Sequence, residues 1–230
     1  MWVMDDPDAL ARVVGFMRER QIAIADGHHR YETSLAYRDE MRARLGYDGD
    51  ECRELPSDYT LMTLMNVYQP DMTIFPTHRV VGGVPDDVLE GLDRGLAESF
   101  EVRESARERL LEDMRERGAI GLYRKGRVQT LTPRPGARSR IGGSEAAREL
   151  ELNVLHGLLL EPLLGIDQEK LRNQTHIIYT RDADEAMRLV DSGERQMAFL
   201  LNNIDVKSVL DIASAGEKMP QKATYFYPKL

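Results

Sequence analysis

The chain has 230 residues, 42% of them hydrophobic and 30% charged, enough to bury a core in one large domain or two small ones. Its 31 basic and 39 acidic residues leave a net charge of −8, the wrong sign for a protein whose main partner is a nucleic-acid backbone. No apolar run approaches the length of a membrane span, and a single cysteine, Cys52, permits neither an internal disulfide nor a cysteine-based zinc cluster within one chain.

The first six residues carry neither the basic flank nor the apolar stretch of a signal peptide, so a cytoplasmic location is expected. Residues 6–20 read as an amphipathic helix, with Leu10, Val13, Val14 and Met17 spaced to face a core. A short apolar strand is predicted over 21–25, ending at Asp26-Gly27. From His28 onward, Tyr31, Leu35, Ala36 and Met41 recur at helical spacing to about Arg44. A polar loop over 46–57 holds Cys52, read as a thiol without catalytic duty. Leu61, Met62, Leu64, Met65 and Val67 suit a buried strand over 59–68 beside the first.

Residues 73–81 predict a second short strand and a turn at Thr77-His78-Arg79, and Gly82-Gly83 marks a module boundary. The expected organisation is a motif-bearing α/β module over 1–82 and an α+β module over 83–230 packed against it. Helices are expected over 85–99 and 106–117, then a hairpin of 120–123 with 128–131 around Lys125-Gly126. Residues 132–143, with two prolines, three glycines and three arginines, read as a flexible loop or lid. Beyond it come a helix over 146–164, a strand over 176–179, a helix over 182–191 capped by an acid, a strand over 198–201 and a helix over 205–215. The tail over 222–229 suits a final strand with one apolar face. The fold class is α/β (α+β), with a mixed sheet flanked by helices.

Asp26-Gly27-His28-His29-Arg30 is where chemistry concentrates. A strand that stops at Asp-Gly and feeds a helix leaves the first helical N–H groups unpaired beside the positive end of the helix dipole, where a phosphate binds. Gly27 permits the sharp turn, and Arg30 offers a planar fork to phosphate oxygens. His28 and His29 each add a donor or a proton relay, while Asp26 or Glu32 could hold a magnesium ion or orient an attacking hydroxyl. In the plainer account Asp26 merely caps the helix and the histidines are solvated. Zinc held by His28 and His29 is disfavoured, because adjacent helical positions diverge by about 100°. His28 paired with His78 stays open.

His78 and Arg79 repeat this chemistry after the second strand and are expected to face the same pocket as the first motif. Lys222, in the aromatic tail, is a further phosphate candidate. His156 lies among leucines and reads as a packed helix residue.

The strings Ile24-Ala25-Asp26-Gly27-His28-His29-Arg30-Tyr31-Glu32, Phe75-Pro76-Thr77-His78-Arg79 and Met219-Pro220-Gln221-Lys222 resemble the prokaryotic family catalogued as domain of unknown function 1015, along nearly the whole chain. Members are usually longer at the N-terminus, so this chain looks like the C-terminal portion of a longer protein. The Asp-Gly-His-His-Arg turn is similar to the phosphate-binding turn of the ParB and sulfiredoxin superfamily, which includes nucleotide-dependent free-serine kinases. The resemblance implies nucleotide phosphates at Gly27, His28, His29 and Arg30, with Glu32 as base. Sulfiredoxin chemistry needs a cysteine in that turn, which is absent, and the acidic balance disfavours ParB-like DNA partition.

The expected function is that of a phosphotransferase acting on a small hydroxylated metabolite such as serine, with magnesium and ATP or ADP as the implied cofactors. The alternatives are a phosphate-ester hydrolase, with His28 or His78 as general acid, and a nucleotide-binding switch without turnover. The expected partner is a nucleotide or another small phosphate compound, with no nucleic acid and no membrane. Nothing in the sequence marks an oligomeric interface.

Overall fold

The computed structural model describes residues 3–47, 54–66, 73–220 and 222–227. By their contacts they divide between Leu61 and Met62, well before the glycine pair at 82–83. Among the described residues no helix is long and apolar enough to cross a membrane.

The first unit is built on two helices. Helix α1 (Pro7–Met17) starts where the Asp6 carboxylate accepts from the Ala9 N–H, with proline in the first turn. Helix α2 (His28–Arg44) begins where the sequence placed it. Near its end Arg42 donates to both carboxylate oxygens of Asp58, at 2.9 and 2.8 Å, and so pins the short turn Pro56–Asp58. That fork, with the Leu55 N–H, holds the Asp58 carboxyl below its usual range.

Three expectations fail in this unit and just beyond it. No residue of α1 is buried, and Leu10, Val13 and Val14 are exposed although their spacing is that of a core face. Residues 21–25 form no strand, and neither do 59–66, where Leu61 is 98% exposed. Apolar spacing marks a face able to be buried, but a strand also needs a neighbour for its N–H and C=O groups, and the first unit has no strand among its described residues. Val67 and Tyr68 lie outside the described residues, as does Cys52.

The second unit is organised by a six-stranded sheet. Its strands are β2 (His78–Val81), β3 (Phe100–Glu104), β4 (Ile120–Arg124), β5 (Arg127–Pro133), β6 (Ile177–Thr180) and β7 (Met197–Leu200), in the order β3-β5-β4-β7-β2-β6. Every pairing is antiparallel, where a mixed sheet was expected. A separate ribbon pairs β1 (Thr73–Phe75) with β8 (Tyr225–Tyr227), placing part of the expected tail strand, and the rings of Phe75 and Tyr227 meet edge to face at 5.6 Å.

Alternation along the strands fills two cores. Val81, Leu122, Met197 and Phe199 face one side, under α3 (Asp86–Ser99) and the segments α6 (Glu151–Leu155) and α7 (Glu161–Leu164). Val80, Tyr123, Ala198 and Leu200 face the other, with α4 (Leu110–Arg117) and α9 (Ala183–Asp191) packed on them. Both faces of β7 are therefore buried, which explains its unbroken apolar run.

The helix expected over 146–164 is broken by extended backbone at Leu150 (ψ 118°), so that α5 (Glu145–Glu149) precedes α6. A π-turn, His156–Leu160, separates α6 from α7. Residues 132–143 are docked, not lid-like: β5 runs to Pro133, Ala137 and Ile141 are buried, and Arg140 donates to Ser99 Oγ at 2.6 Å. Helix α8 (Gln168–Asn173) and the edge strand β3 have no counterpart in the sequence reading. Helix α10 (Val206–Ser214) falls within the helix expected over 205–215, and the structure adds Asp205 as its cap.

Candidate functional site

Gly27 adopts a left-handed conformation (φ 86°) and forms the cap position of α2. The first intrahelical bond runs from the Tyr31 N–H to the Gly27 carbonyl at 3.0 Å, so the N–H groups of His28, His29 and Arg30 have no partner within the helix. No side chain caps them, and the first turn holds no acidic residue. Two side chains fold back toward the turn. Arg30 reaches Asp26 at 3.4 Å with the arginine 82% exposed, and His29 Nδ1 lies 3.5 Å from the Glu32 carboxylate with the histidine 90% exposed. His28 is half-buried.

This arrangement runs against the ordinary preference of a helix start. Anions are favoured at the positive end of the dipole, yet here an arginine and two histidines occupy it and one carboxylate, Asp26, stands outside. An added oxyanion would satisfy the free N–H groups and the guanidinium together. Asp26 supplies a single carboxylate. Among the described residues no group of three or more His, Cys, Asp or Glu side chains gathers as a resident metal site would. A magnesium ion there would take its remaining ligands from phosphate oxygens and water.

His78 and Arg79 belong to the second unit, and neither lies on a turn. Both sit in β2, where every residue is buried, at 3% and 1% exposure. The expectation that they face one pocket is corrected by strand geometry, because successive side chains point to opposite faces of the sheet. His78 shares its face with Val80 and Arg79 with Val81.

His78 Nδ1 accepts from the Leu201 N–H at 3.1 Å, which places its proton on Nε2. Burial, and then the positive charge of Arg79, push its pKa down to about 4 against an opposing pull from Asp182, so the ring is neutral at physiological pH. It lines a cleft of about 920 Å³ with Asp182, Glu151 and Asn202. The Glu151 carboxylate accepts from the Asn202 N–H and Nδ2, both at 2.7 Å, and burial raises its pKa. Neither Glu151 nor Asn202 was singled out from sequence, since each is one polar residue without a motif.

Arg79 stands across β2 from Tyr179 on β6 and Phe199 on β7. Its guanidinium donates to the Thr77 carbonyl and, at 3.2 Å, to the Lys222 carbonyl, while Nε is buried without a partner. The Lys222 ammonium lies 4.3 Å from the Tyr179 ring centroid, so the structure does bring Arg79 and Lys222 together.

Comparison with solved structures returns remote likenesses. A conserved hypothetical protein from Pyrococcus furiosus is 15% identical with a TM-score of 0.45, covering 88% of this chain and 68% of its own. A free serine kinase in complex with AMP is 16% identical with a TM-score of 0.48, covering 98% of this chain and 81% of its own. A variant of free serine kinase in complex with ADP gives 17%, 0.47, 98% and 81% in the same terms. No curated protein matches the chain significantly. The family described as protein of unknown function (DUF1015) matches residues 1–155, a stretch that holds both histidine motifs, and the chain belongs to that family.

Proposed function

We propose that the Asp26-to-Arg30 turn binds the phosphates of a nucleotide such as ATP or ADP, and that the protein is a phosphotransferase acting on a small hydroxylated metabolite such as serine. The observation that carries this reading is the uncapped start of α2, with three N–H groups free within the helix and Arg30 and two histidines beside them. Gly27, His28, His29 and Arg30 hold the phosphates, and Asp26 shares a magnesium ion with them. Glu32, or His29 beside it, takes the proton of the acceptor hydroxyl. Catalysis rests on positioning and charge neutralisation, as phosphoryl transfer generally does.

His29→Ala and Arg30→Ala each remove a charge-assisted or polar contact without touching a buried residue. Each is expected to weaken nucleotide binding by roughly tenfold, the equivalent of about 1.4 kcal/mol, with thermal stability in nucleotide-free buffer unchanged. Labelled nucleotide incubated with a panel of hydroxylated amino acids separates the chemistry. Label on an amino acid supports the transferase, free phosphate marks a hydrolase, and stabilisation without product marks a switch. If neither variant changes the affinity for any phosphate compound, the turn is not the site.

A further inference from the structure

Arg79 poses a problem of charge that the rest of its unit does not solve. Its side chain is 1% exposed, it donates only to backbone carbonyls, its Nε has no partner, and among the described residues no carboxylate pairs with it. An unpaired buried cation is expensive, and proteins ordinarily keep one only against a counterion or a ligand. Burial brings the guanidinium down to about 10 against an opposing pull from Tyr179, an unusual value for arginine.

Its surroundings add positive charge and unmet polar atoms. The face of Tyr179 meets Arg79 at 5.4 Å and Lys222 at 4.3 Å, so two cations share one ring. Lys222 holds a left-handed backbone conformation (φ 53°), unusual for a residue with a side chain. His156, on the π-turn, keeps Nε2 buried without a partner and feels the charge of Arg79. Tyr179, His156 and Arg172 line a cavity of about 70 Å³, room for more than one water or for one tetrahedral oxyanion.

We propose that Arg79, His156, Arg172 and Lys222 form an oxyanion pocket in the second unit that takes the dianionic phosphate group of a small metabolite. The pocket stands on its own residues and does not depend on the turn at Asp26. Phosphate is favoured over a carboxylate because Arg172 lines the cavity and Arg79 and Lys222 both meet the Tyr179 ring that walls it, so one negative charge would leave two of these cations uncompensated. The phosphate would accept from the Nε2–H of a neutral His156 and from Arg172, both on the cavity wall, with the Tyr179 ring as a flat wall and Arg79 on that ring.

The test uses the full chain carrying His29→Ala and Arg30→Ala, so that phosphate bound at the first turn is not read. Inorganic phosphate, against sodium chloride at matched ionic strength, is expected to raise the thermal midpoint by several degrees and to shift the Nε–H resonance of Arg79. Arg79→Met, which keeps the length and removes the charge, is expected to be at least as stable in phosphate-free buffer and to lose the response. Lys222→Gln, at an exposed position, is expected to weaken phosphate binding about tenfold and serves should Arg79→Met fail to fold. A phosphate response unchanged by Lys222→Gln or Arg79→Met overturns the proposal, and so does its absence from the His29→Ala, Arg30→Ala chain. Loss of nucleotide binding in that chain, with the phosphate response retained, separates this pocket from the proposed nucleotide site.

Discussion

Lowering the pH from 7.5 to 5 is expected to cost this protein about 4 kcal/mol of stability, through two histidines. Burial drives His78 down to about 4 and His156 down to about 3, whereas an unfolded histidine titrates near 6.5. The folded state therefore refuses protons that the unfolded chain accepts. The stabilisation of the neutral rings is complete above the unfolded value and is lost as the pH falls through 6.5 toward 4. At pH 5 each ring accounts for about 2 kcal/mol. The carboxylates held low by arginine, Asp58 and Asp191 among them, act in a separate window, because their contribution fades only as the pH falls below about 4. Urea unfolding at pH 7.5, 6 and 5 measures the effect. His156→Phe, which keeps a flat ring and removes the titration, should halve the loss. A midpoint unchanged between pH 7.5 and 5 would show that neither ring is held neutral by burial.

The second large effect belongs to the middle of the sheet. Phe199 is 0% exposed on β7, opposite Leu122 of β4 and Arg79 of β2. Replacement by alanine removes a ring from a strand buried on both faces, and the flanking strands cannot collapse into the space without losing their ladders. A cost of about 4 kcal/mol is expected, or a fall of about 10 °C in Tm. Crowding the same strands from the other face should also hurt. A methyl group on Gly121 would meet Met114 Sδ at 2.5 Å and Leu200 Cβ at 3.2 Å, so Gly121→Ala is expected to cost about 1 to 3 kcal/mol. A loss below 1 kcal/mol for Phe199→Ala, by urea unfolding, would contradict the packing described for β7.

The second unit was the more legible part of the chain. The hairpin around Lys125-Gly126, the Asp182 cap, the helix after Asn203 and the apolar run of β7 each carry a local cause, and each appears where the sequence placed it. Strand direction was not legible, because pairing partners lie far apart in sequence: β2 sits between β7 and β6. In the first unit, apolar spacing over residues 6–17 and 21–25 was clear, but spacing says which face could be buried and not whether a partner exists. The start of α2 was read correctly, since Asp26-Gly27 carries the turn chemistry in its own residues. His78 and Arg79 were recognised as notable and misplaced as a turn. The run His78-Arg79-Val80-Val81 is short and polar at its start, and only the neighbouring strands reveal that it is a central one. Arg79 and Lys222 meet across 143 positions of sequence, a contact that nothing local announces.

The order β3-β5-β4-β7-β2-β6 also governs how this chain can emerge from a ribosome. Strand β2 is made early, yet Val80 pairs with Ile178 on one side and Ala198 on the other. Its apolar side chains, and the charge of Arg79 among them, stay without a sheet until most of the chain has been synthesised, while the hairpin of β4 and β5 can close as soon as it appears. Long-range closures of this kind slow folding and prolong the exposure of sticky intermediates. Nascent chains ending before β7 should accordingly be the ones that chaperones hold.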